Sequence, residues 1–490
     1  KGHETKQIYK NKILNISDKK IIKKIKLKFK KFLSKEQNFS QNKKILNEIS
    51  KKNEIRNFHG IAIDSRTVKK GNLFLTIKGK NNDGSKFISK AMKRGASYIV
   101  TSKKFKKLKK KIIHVNNEIS FLNNFALGKR TYTNAKILGI TGSAGKTSLK
   151  NLVNNLLENY GKTFCSPKSY NNHFGVPLSL SQLSTNHKFG IFEIGMSKVG
   201  EIKFLSNLVK PHIGVITNIG EAHIENFNNL KGIANAKGEL IDNIHKNGTI
   251  ILNRDDKYFG YLEKKAKNKN LKVVNFGLSK KSDVYPLKIT KINNKKKFKV
   301  KIFNQNYFVE IGNLNIYNVL ASLAILKILN LDINRIIKYY RKYESTPGRG
   351  KIYKIFRYQK FFKLIDESYN ANPLSVKTAI QNFNAIKKKN FKKYLLLGDM
   401  LELGKKSDVL HKNLSEVINK SDIDKVFVKG NKSLITYKYI LKKKRGNILQ
   451  QDEDIDSTLN DVISNNDYLM IKGSNATGLN NICKRIIKGF

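Results

Sequence analysis

The feature that most restricts the fold of this 490-residue chain is a glycine-rich loop between a hydrophobic strand and a helix. The strand is predicted over residues 137–140, and the loop after it reads Thr141-Gly142-Ser143-Ala144-Gly145-Lys146-Thr147-Ser148. Glycines let the backbone curl so that successive N–H groups face a phosphate, and the helix N-terminus adds its positive dipole end. In such loops the lysine approaches the β- and γ-phosphates, and the hydroxyl after it binds Mg²⁺. We therefore predict an α/β domain that binds the phosphates of a nucleotide through this segment, which we call the phosphate loop.

Strands and helical patterns alternate along most of the chain, which is typical of parallel sheets with helices on both faces. The pattern predicts a small α/β domain over residues 41–132, a central domain over 133–343 and a smaller doubly wound, Rossmann-like domain over 344–490. The strands predicted in these domains lie at residues 61–63, 73–77, 97–100, 137–140, 190–194, 213–217, 249–252, 361–365, 394–397, 426–428 and 468–471.

Polar side chains follow two further strands of the central domain. Glu193 ends one strand, and His223 closes the run Thr217-Asn218-Ile219-Gly220-Glu221-Ala222-His223 after the next. The carboxyl ends of parallel strands border the ligand crevice, where a carboxylate can hold Mg²⁺. Lys237 follows fourteen residues after His223, and from composition alone it is an ordinary surface lysine.

This succession of motifs resembles the Mur ligases, a family of ATP-dependent amide-bond ligases. The resemblance rests on the phosphate loop, on Glu193-Ile194-Gly195-Met196 and on Ala236-Lys237-Gly238-Glu239, and it extends over roughly residues 45–490. Two C-terminal runs are similar to the member that adds D-alanyl-D-alanine: Asn370-Ala371-Asn372-Pro373 and Gly398-Asp399-Met400-Leu401-Glu402-Leu403-Gly404. The fold that the resemblance implies is a three-domain Mur ligase architecture, with a central P-loop-type parallel sheet and a C-terminal Rossmann-like domain.

The resemblance also implies roles for individual residues. Lys237 is similar to a lysine that relatives carbamylate. The catalytic residues implied are Lys146, Glu193, His223 and Lys237, and the ligands of two Mg²⁺ are Thr147, Glu193, His223 and Lys237. The ATP contacts implied are Gly142, Ser143, Ala144, Gly145, Lys146, Thr147, Ser148, Asn318, Arg349 and Asp366. The substrate contacts implied are Ser65, Arg66, Asn171, Asn172, Asn370 and Asn372.

The reaction that the resemblance implies joins D-alanyl-D-alanine to a UDP-N-acetylmuramoyl-tripeptide through an acyl phosphate formed with ATP. The sequence departs from the family at Leu314, Glu367 and Ser85, where His, Asp and His are common. The alternative within the superfamily is a tripeptide-forming or folate polyglutamate ligase, although the Asp-Asn-Pro-Arg signature of the first is absent from the sequence.

The formal charge of +61 suggests a protein of another class, a basic ATPase that binds nucleic acid or an anionic membrane. The basic residues are spread along the whole chain, so we favour a general lysine bias over a specific nucleic-acid partner. No run approaches the roughly 18 apolar residues of a membrane span, and no signal pattern opens the chain. Together with only two cysteines, these features predict a cytoplasmic protein without membrane insertion.

The first forty residues have a separate pattern. Lys1-Gly2-His3-Glu4-Thr5-Lys6-Gln7 resembles the closing motif of the Mur ligase that acts one step earlier, and apolar residues recur at helical spacing over 21–33. We interpret residues 1–40 as a tail and linker left from a fusion of two consecutive ligases, without an activity of its own.

Overall fold

The computed structural model describes residues 38–49, 58–79, 82–105, 111–292, 295–312, 314–387 and 390–488. The predictions for the terminal motif and for a helix over 21–33 lie outside the described residues. The described chain forms two compact units. Unit 1 contains the described residues up to Ala135 together with Leu180–His187, and unit 2 contains Lys136–Ser179 and the described residues from Lys188 onward. Within the described residues, no helix combines the length and the apolar character needed to cross a membrane.

Unit 1 is built on a four-stranded parallel sheet of order β1-β2-β3-β4, with a core that includes Phe74, Ala91 and Ile99. Helix α1 runs through residues 40 and 41, where the sequence analysis placed a domain limit. It is held by the buried ammonium of Lys129, as described in the Discussion. The elements are α1 (residues 38–49), β1 (Gly60–Ala62), β2 (Asn72–Leu75), α2 (Ile88–Lys93), β3 (Tyr98–Thr101), β4 (Ile112–His114) and α3 (Glu118–Thr131).

The first sheet of unit 2 has nine strands in the order β13-β12-β11-β10-β9-β8-β5-β7-β6. Strands β5 to β11 pair in parallel, whereas β12 and β13 add antiparallel strands at one edge. The strands are β5 (Lys136–Thr141), β6 (Thr163–Cys165), β7 (Phe189–Glu193), β8 (Ile213–Ile216), β9 (Thr249–Asn253), β10 (Lys272–Phe276), β11 (Val284–Ile292), β12 (Lys295–Ile302) and β13 (Gln305–Ile311). The helices are α4 (Lys146–Leu157), α5 (Gly175–Ser181), α6 (Glu201–Val209), α7 (Leu230–Asp242), α8 (Phe259–Lys267), α9 (Ile316–Ile328) and α10 (Ile333–Lys342).

The second sheet of unit 2 has six strands in the order β14-β15-β19-β16-β17-β18, with only β14 antiparallel to its neighbour. Its strands are β14 (Lys351–Arg357), β15 (Lys360–Glu367), β16 (Lys393–Gly398), β17 (Lys425–Lys429), β18 (Arg445–Ile448) and β19 (Tyr468–Lys472). Its helices are α11 (Pro373–Asn384), α12 (Ser407–Asn419), α13 (Ser433–Tyr439), α14 (Asp452–Val462) and α15 (Leu479–Lys488).

The order of the nine-stranded sheet decides where the motifs meet. Strands β8, β5 and β7 are neighbours, and they are parallel. The phosphate loop follows β5, Glu193 ends β7, and Thr217 follows β8. All three motifs therefore lie at one edge of the sheet, as the sequence predicts. The α/β fold class is confirmed, and the antiparallel strands β12 to β14 are additions that the sequence analysis did not predict.

Candidate active site

A cavity of about 1030 Å³ lies in unit 2, between loops of the nine-stranded and six-stranded sheets. Most of the residues that the sequence analysis assigned to ATP, metal and peptide contacts line it. The assigned residues on its wall are Ser143, Ala144, Gly145, Lys146, Thr147, Ser148, Asn171, Asn172, Glu193, His223, Lys237, Asn318, Arg349, Asn370 and Asn372. Gly142 and Asp366 are not on the wall, and Ser65 and Arg66 belong to unit 1.

The phosphate loop needs glycine at two positions. Gly142 has φ 142° and Gly145 has φ 83°, in the region that side chains disfavour. A Cβ atom on Gly142 would lie 1.9 Å from Oγ1 of Thr217, so either the loop or the Thr217 side chain would have to move. These glycines therefore set the curl that the sequence predicts for this loop.

The segment after β8 supports the phosphate loop through hydrogen bonds. The N–H of Ser143 donates to the carbonyl of Asn218 at 2.9 Å, and the N–H of Ala144 donates to its Oδ1 at 2.8 Å. The N–H of Gly220 donates to Oγ of Ser143 at 2.8 Å. The first N–H groups of a helix have no partner within the helix. The backbone donors at the start of α4, from Lys146 to Ser148, are therefore available to a phosphate.

Lys146 lies on the cavity wall next to these donors. Its Nζ donates to the carbonyl of Gly142 at 2.6 Å. Burial lowers the pKa of Lys146, with Glu193 acting in the opposite direction and Arg349 in the same one. The ammonium thus has a neutral acceptor that it can exchange for a phosphate oxygen.

Glu193 is 1% exposed and is held by donors on both of its oxygens. The hydroxyl of Thr147 donates to Oε2 at 2.7 Å, and Nδ2 of Asn171 donates to Oε1 at 2.8 Å. Burial by itself would raise the pKa of Glu193. The charges of Lys150, Lys146 and Arg349 and the hydrogen bond from Thr147 nevertheless hold that pKa below its usual value.

Lys150 is a component of the site that the sequence analysis missed. Its ammonium lies 3.4 Å from Oε2 of Glu193, and both side chains are almost fully buried. It also donates to the carbonyl of Ser166 at 2.8 Å and to the carbonyl of Lys168. The available signal was weak: a lysine one turn after Lys146 on the apolar side of α4.

His223 reaches a carboxylate of the C-terminal motif. Its Nδ1 lies 2.7 Å from Oε2 of Glu402. Both residues have a positive backbone φ, 59° for His223 and 63° for Glu402. The close approach of the His223 ring lowers the pKa of Glu402 against the opposite effect of burial. The imidazole therefore lies next to a residue of the run Gly398–Gly404, which the sequence analysis had used only to support the family resemblance.

Lys237 is 2% exposed on α7 and also lines the cavity. Among the described residues, its ammonium has no hydrogen-bond acceptor and no ion-pair partner. Burial lowers the pKa of Lys237 well below its usual value, and the charge of Lys146 acts in the same direction. The site therefore favours the neutral amine, which is the nucleophilic form of lysine.

Loops of the six-stranded sheet supply the opposite wall. Arg349 donates from Nη2 to Oγ of Ser169 at 3.0 Å, and its guanidinium lies 4.3 Å from the ring centre of Tyr369. Asp366 accepts from the N–H of Gly348 at 2.6 Å and from Oγ of Ser368 at 2.6 Å. Asp366, which the sequence analysis predicted to contact ATP, therefore holds the turn that contains Arg349.

The four asparagines assigned to the substrate differ in what they contact. Nδ2 of Asn372 donates to the carbonyl of Ser143 at 3.2 Å, and its Oδ1 caps α11. Oδ1 of Asn172 accepts from the N–H of Gly175 at 2.9 Å. Asn370 and Asn171 both line the cavity. Asn372 therefore connects the six-stranded sheet directly to the phosphate loop.

The residues assigned to the UDP substrate are in unit 1. Ser65 is buried at the start of a short 3-10 helix, Ser65–Thr67. The side chain of Arg66 is 85% exposed and forms an ion pair with Asp64 at 2.8 Å. The guanidinium therefore lies at the surface with one carboxylate partner.

Comparisons with known proteins agree with this geometry. Three family models match in succession: the Mur ligase family, catalytic domain, at residues 57–130, the Mur ligase middle domain at 140–326, and the Mur ligase, glutamate ligase domain, at 355–475. The UDP-N-acetylmuramoyl-tripeptide--D-alanyl-D-alanine ligase of Buchnera aphidicola subsp. Baizongia pistaciae is 32% identical over 439 residues, covering 88% of this chain and 93% of the relative. The chain belongs to the Mur ligase family.

Solved structures of Mur ligases have the same fold. MurF from Acinetobacter baumannii superposes with a TM-score of 0.80 at 24% identity, over 91% of this chain and 98% of that one. MurF from Thermotoga maritima, solved in complex with ADP, superposes with a TM-score of 0.76 at 25% identity, over 88% of this chain and 97% of that one. The three-domain Mur ligase architecture is therefore confirmed for this chain.

Proposed function

We propose that this Mur ligase joins D-alanyl-D-alanine to UDP-N-acetylmuramoyl-tripeptide at the cost of ATP, giving the pentapeptide, ADP and phosphate in peptidoglycan synthesis. The observation that carries the proposal is the likeness of nearly the whole chain to ligases with this activity. The cavity supports it, because it combines a phosphate loop, a buried carboxylate and cations from both sheets.

ATP is the nucleotide we propose for the phosphate loop, and the ADP bound by the Thermotoga relative supports this choice. The N–H groups at the start of α4 and the ammonium of Lys146 would bind the β- and γ-phosphates. Asn318 would lie on the adenine side, and Arg349 would reach a phosphate from the opposite wall. Asp366 would act on the nucleotide through the turn that positions Arg349.

The residues present fit Mg²⁺. This ion prefers oxygen ligands and is usually bound by one or two carboxylates together with substrate phosphates. Oγ1 of Thr147 and Oε2 of Glu193 are 2.7 Å apart at the cavity, and the neighbouring cations keep Glu193 ionised. Among the described residues, no group of three His, Cys, Asp or Glu side chains could bind a metal alone. Phosphate oxygens would therefore complete the coordination.

A second Mg²⁺ would be held by Glu193, His223 and a modified Lys237. The neutral amine of Lys237 can attack the carbon of CO₂ and lose one proton to solvent, which gives an anionic carbamate. The carbamate would give the side chain of Lys237 a negative charge. This charge could bind a metal ion and would compensate the positive charge of Lys146. Bound Mg²⁺ would polarise phosphoryl oxygens and neutralise the developing charge.

The reaction we propose has two steps. The terminal carboxylate of the tripeptide attacks the γ-phosphorus of ATP, the bond to the β-phosphate oxygen breaks, and ADP leaves. The amine of D-alanyl-D-alanine then attacks the acyl carbon, phosphate leaves with the C–O bond electrons, and the ammonium proton passes to solvent. Lys146 and Arg349 would stabilise charge on the phosphoryl group from opposite walls, an electrostatic contribution that is ready before the reaction begins.

The substrate peptide would lie along Asn171, Asn172 and Asn370, with Asn372 supporting the loop, while Ser65 and Arg66 would bind the UDP moiety. The domains we propose are 38–132, 133–343 and 344–490, with the first limit moved from 41 because helix α1 (residues 38–49) spans it. We also propose a cytoplasmic enzyme, because two of its substrates, ATP and the UDP-linked tripeptide, are nucleotides and both cysteines, Cys165 and Cys483, are free thiols.

The test is ADP release from ATP with purified UDP-N-acetylmuramoyl-tripeptide, measured with and without D-alanyl-D-alanine. We expect sustained release only when both acceptor and dipeptide are present, with one pentapeptide formed per ADP. Diaminopimelate, lysine and glutamate serve as competing amines that represent other ligases of the superfamily. Faster turnover with one of these amines would refute the proposed specificity, and so would ADP release at the same rate with and without the dipeptide.

A further inference from the structure

We infer that Lys150 is a positioning residue that acts as the permanent countercharge of Glu193, so that Lys146 remains available to the phosphates. This inference rests on the proposed function, because it concerns how the same cavity binds a magnesium nucleotide. It assigns a role to a residue that does not line the cavity.

The ammonium of Lys150 is completely enclosed. It is 0% exposed and does not line the cavity. It donates to the carbonyls of Ser166 and Lys168, and it forms an ion pair with Oε2 of Glu193 at 3.4 Å. A ligand in the cavity therefore cannot displace it.

Glu193 needs such a partner because its carboxylate is also buried. An ionised carboxylate in a protein interior is unfavourable unless charges and hydrogen bonds compensate it. Thr147 and Asn171 supply hydrogen bonds without charge. The other cations that act on Glu193 are Lys146 and Arg349, and both line the cavity where phosphate is expected.

The two lysines of α4 therefore have separate tasks. Lys146 faces the cavity, and Lys150 lies one turn later beneath Glu193. Without Lys150, the carboxylate would compete with the phosphates for Lys146 and Arg349. The magnesium-dependent part of nucleotide binding would then weaken, although the loop and its backbone donors would remain.

The experiment measures the affinity for ADP by calorimetry, with and without MgCl₂. Lys150→Met is expected to reduce the gain in affinity due to magnesium by about 10- to 100-fold, as loss of a residue that supports a metal ligand commonly does. The magnesium-free affinity should change by less than about threefold, because the backbone donors remain. Lys150→Gln, which keeps a polar group, should show the same loss and serves if the methionine variant does not fold.

Lys393→Met is the matched control. Lys393 is also 0% exposed, and it donates to the carbonyl of Phe383 at 3.0 Å and forms an ion pair with Asp422 at 2.7 Å, away from the cavity. Its loss should lower stability and leave the magnesium gain unchanged. In a Glu193→Gln background, Lys150→Met should reduce the magnesium gain no further, because the charge that it balances is already gone.

Retention of the magnesium gain within about threefold in a folded Lys150 variant would overturn the inference, since a supporting residue commonly costs tenfold or more. An equally large loss in the Glu193→Gln background would also overturn it, because the effect would then be structural. If the unmodified protein bound no ADP, the proposed function itself would fail. Normal ADP binding with no effect of Lys150 would reject only this inference.

Discussion

Lysine side chains at the cavity differ in how their charges are compensated. Lys237 has no acidic partner among the described residues, and burial lowers its pKa well below the usual range. The ammonium of Lys472 donates to the carbonyl of Asn370 at 2.6 Å and lies 3.5 Å from Glu367. Burial lowers the pKa of Lys472 as well, but Glu367 opposes that shift. An acidic partner therefore opposes the effect of burial on the pKa of Lys472, whereas nothing described opposes it at Lys237.

Lys146→Ala should leave the protein folded and reduce turnover at least about 100-fold, because a preorganised charge at the transferring phosphoryl group is lost. Steady-state release of phosphate and circular dichroism measure the two effects. Lys136→Ala is the control, because Lys136 is exposed at the opposite end of β5, and it should change neither phosphate release nor the circular dichroism spectrum appreciably. Phosphate release close to normal in the Lys146 variant would contradict the phosphate assignment.

At this scale the sequence identified residues that belong to a recognisable motif. Lys146, Thr147 and Glu193 were found because loop, hydroxyl and carboxylate have fixed places relative to the strands. Lys150 was missed because one buried lysine cannot be distinguished among 97 basic residues by type alone. The contact of Asp366 with Gly348 depends on backbone geometry that no local pattern specifies.

The segment that follows strand β8 leaves no space for a side chain at Gly142. Gly142→Ala should abolish nucleotide binding and lower the free energy of unfolding by about 1–3 kcal/mol, because the new Cβ meets Thr217 and φ is unfavourable. Calorimetry with ADP and urea unfolding measure both effects. Gly260→Ala in α8, where nothing lies within 4 Å of the new Cβ, should bind ADP normally. Normal ADP affinity in the Gly142 variant would show that the loop can adapt.

Helix α1 of unit 1 is attached through a buried charge. Nζ of Lys129 donates to Oδ1 of Asn38 at 2.7 Å, to Oε1 of Gln41 at 2.9 Å and to Oδ1 of Asn42 at 3.0 Å. The ammonium is 1% exposed, and these three acceptors from the described residues are all uncharged, so burial lowers the pKa of Lys129 to about 7.

The free energy of unfolding should consequently rise with pH between about 7 and 10.5. Over that range the unfolded chain keeps the proton on Lys129 and the folded chain has released it, so unfolding binds a proton and becomes harder as pH rises. Urea unfolding of the native protein and of Lys129→Met gives the contribution of this residue by difference. A difference that stays flat across this range would contradict the assignment.

The sequence predicted the strands that border the phosphate loop well, and it missed β12, where lysines interrupt the apolar residues. Strands β5, β7 and β8 are continuous apolar runs, and their predicted limits agree with the structure within about two residues. In β12, buried Phe298, Val300 and Ile302 alternate with lysines, a period-two pattern that was masked by composition. This alternation is what an antiparallel strand with one covered face requires.

The whole molecule carries a charge of +61, and this field acts on any polyanion. We expect polynucleotide to bind with an affinity that falls steeply between about 50 and 200 mM salt, as counterion release requires. It should not stimulate ADP release beyond the rate set by muramoyl tripeptide and dipeptide. Filter binding and the ADP assay at matched salt concentrations test the two statements. Polynucleotide-stimulated ATP hydrolysis without tripeptide would favour the nucleic-acid alternative.

The hydrogen bonds from the phosphate loop to Asn218 have a thermodynamic consequence. Ser143 and Ala144 are already fixed by this neighbour, so the loop does not have to become ordered when a nucleotide arrives. Little conformational entropy is lost at that step, and the heat of association should come mainly from exchanging water for backbone amides around the phosphates. The phosphate loop therefore has its binding conformation before the nucleotide arrives. The cavity residues that surround the rest of the nucleotide then determine which nucleotide is preferred.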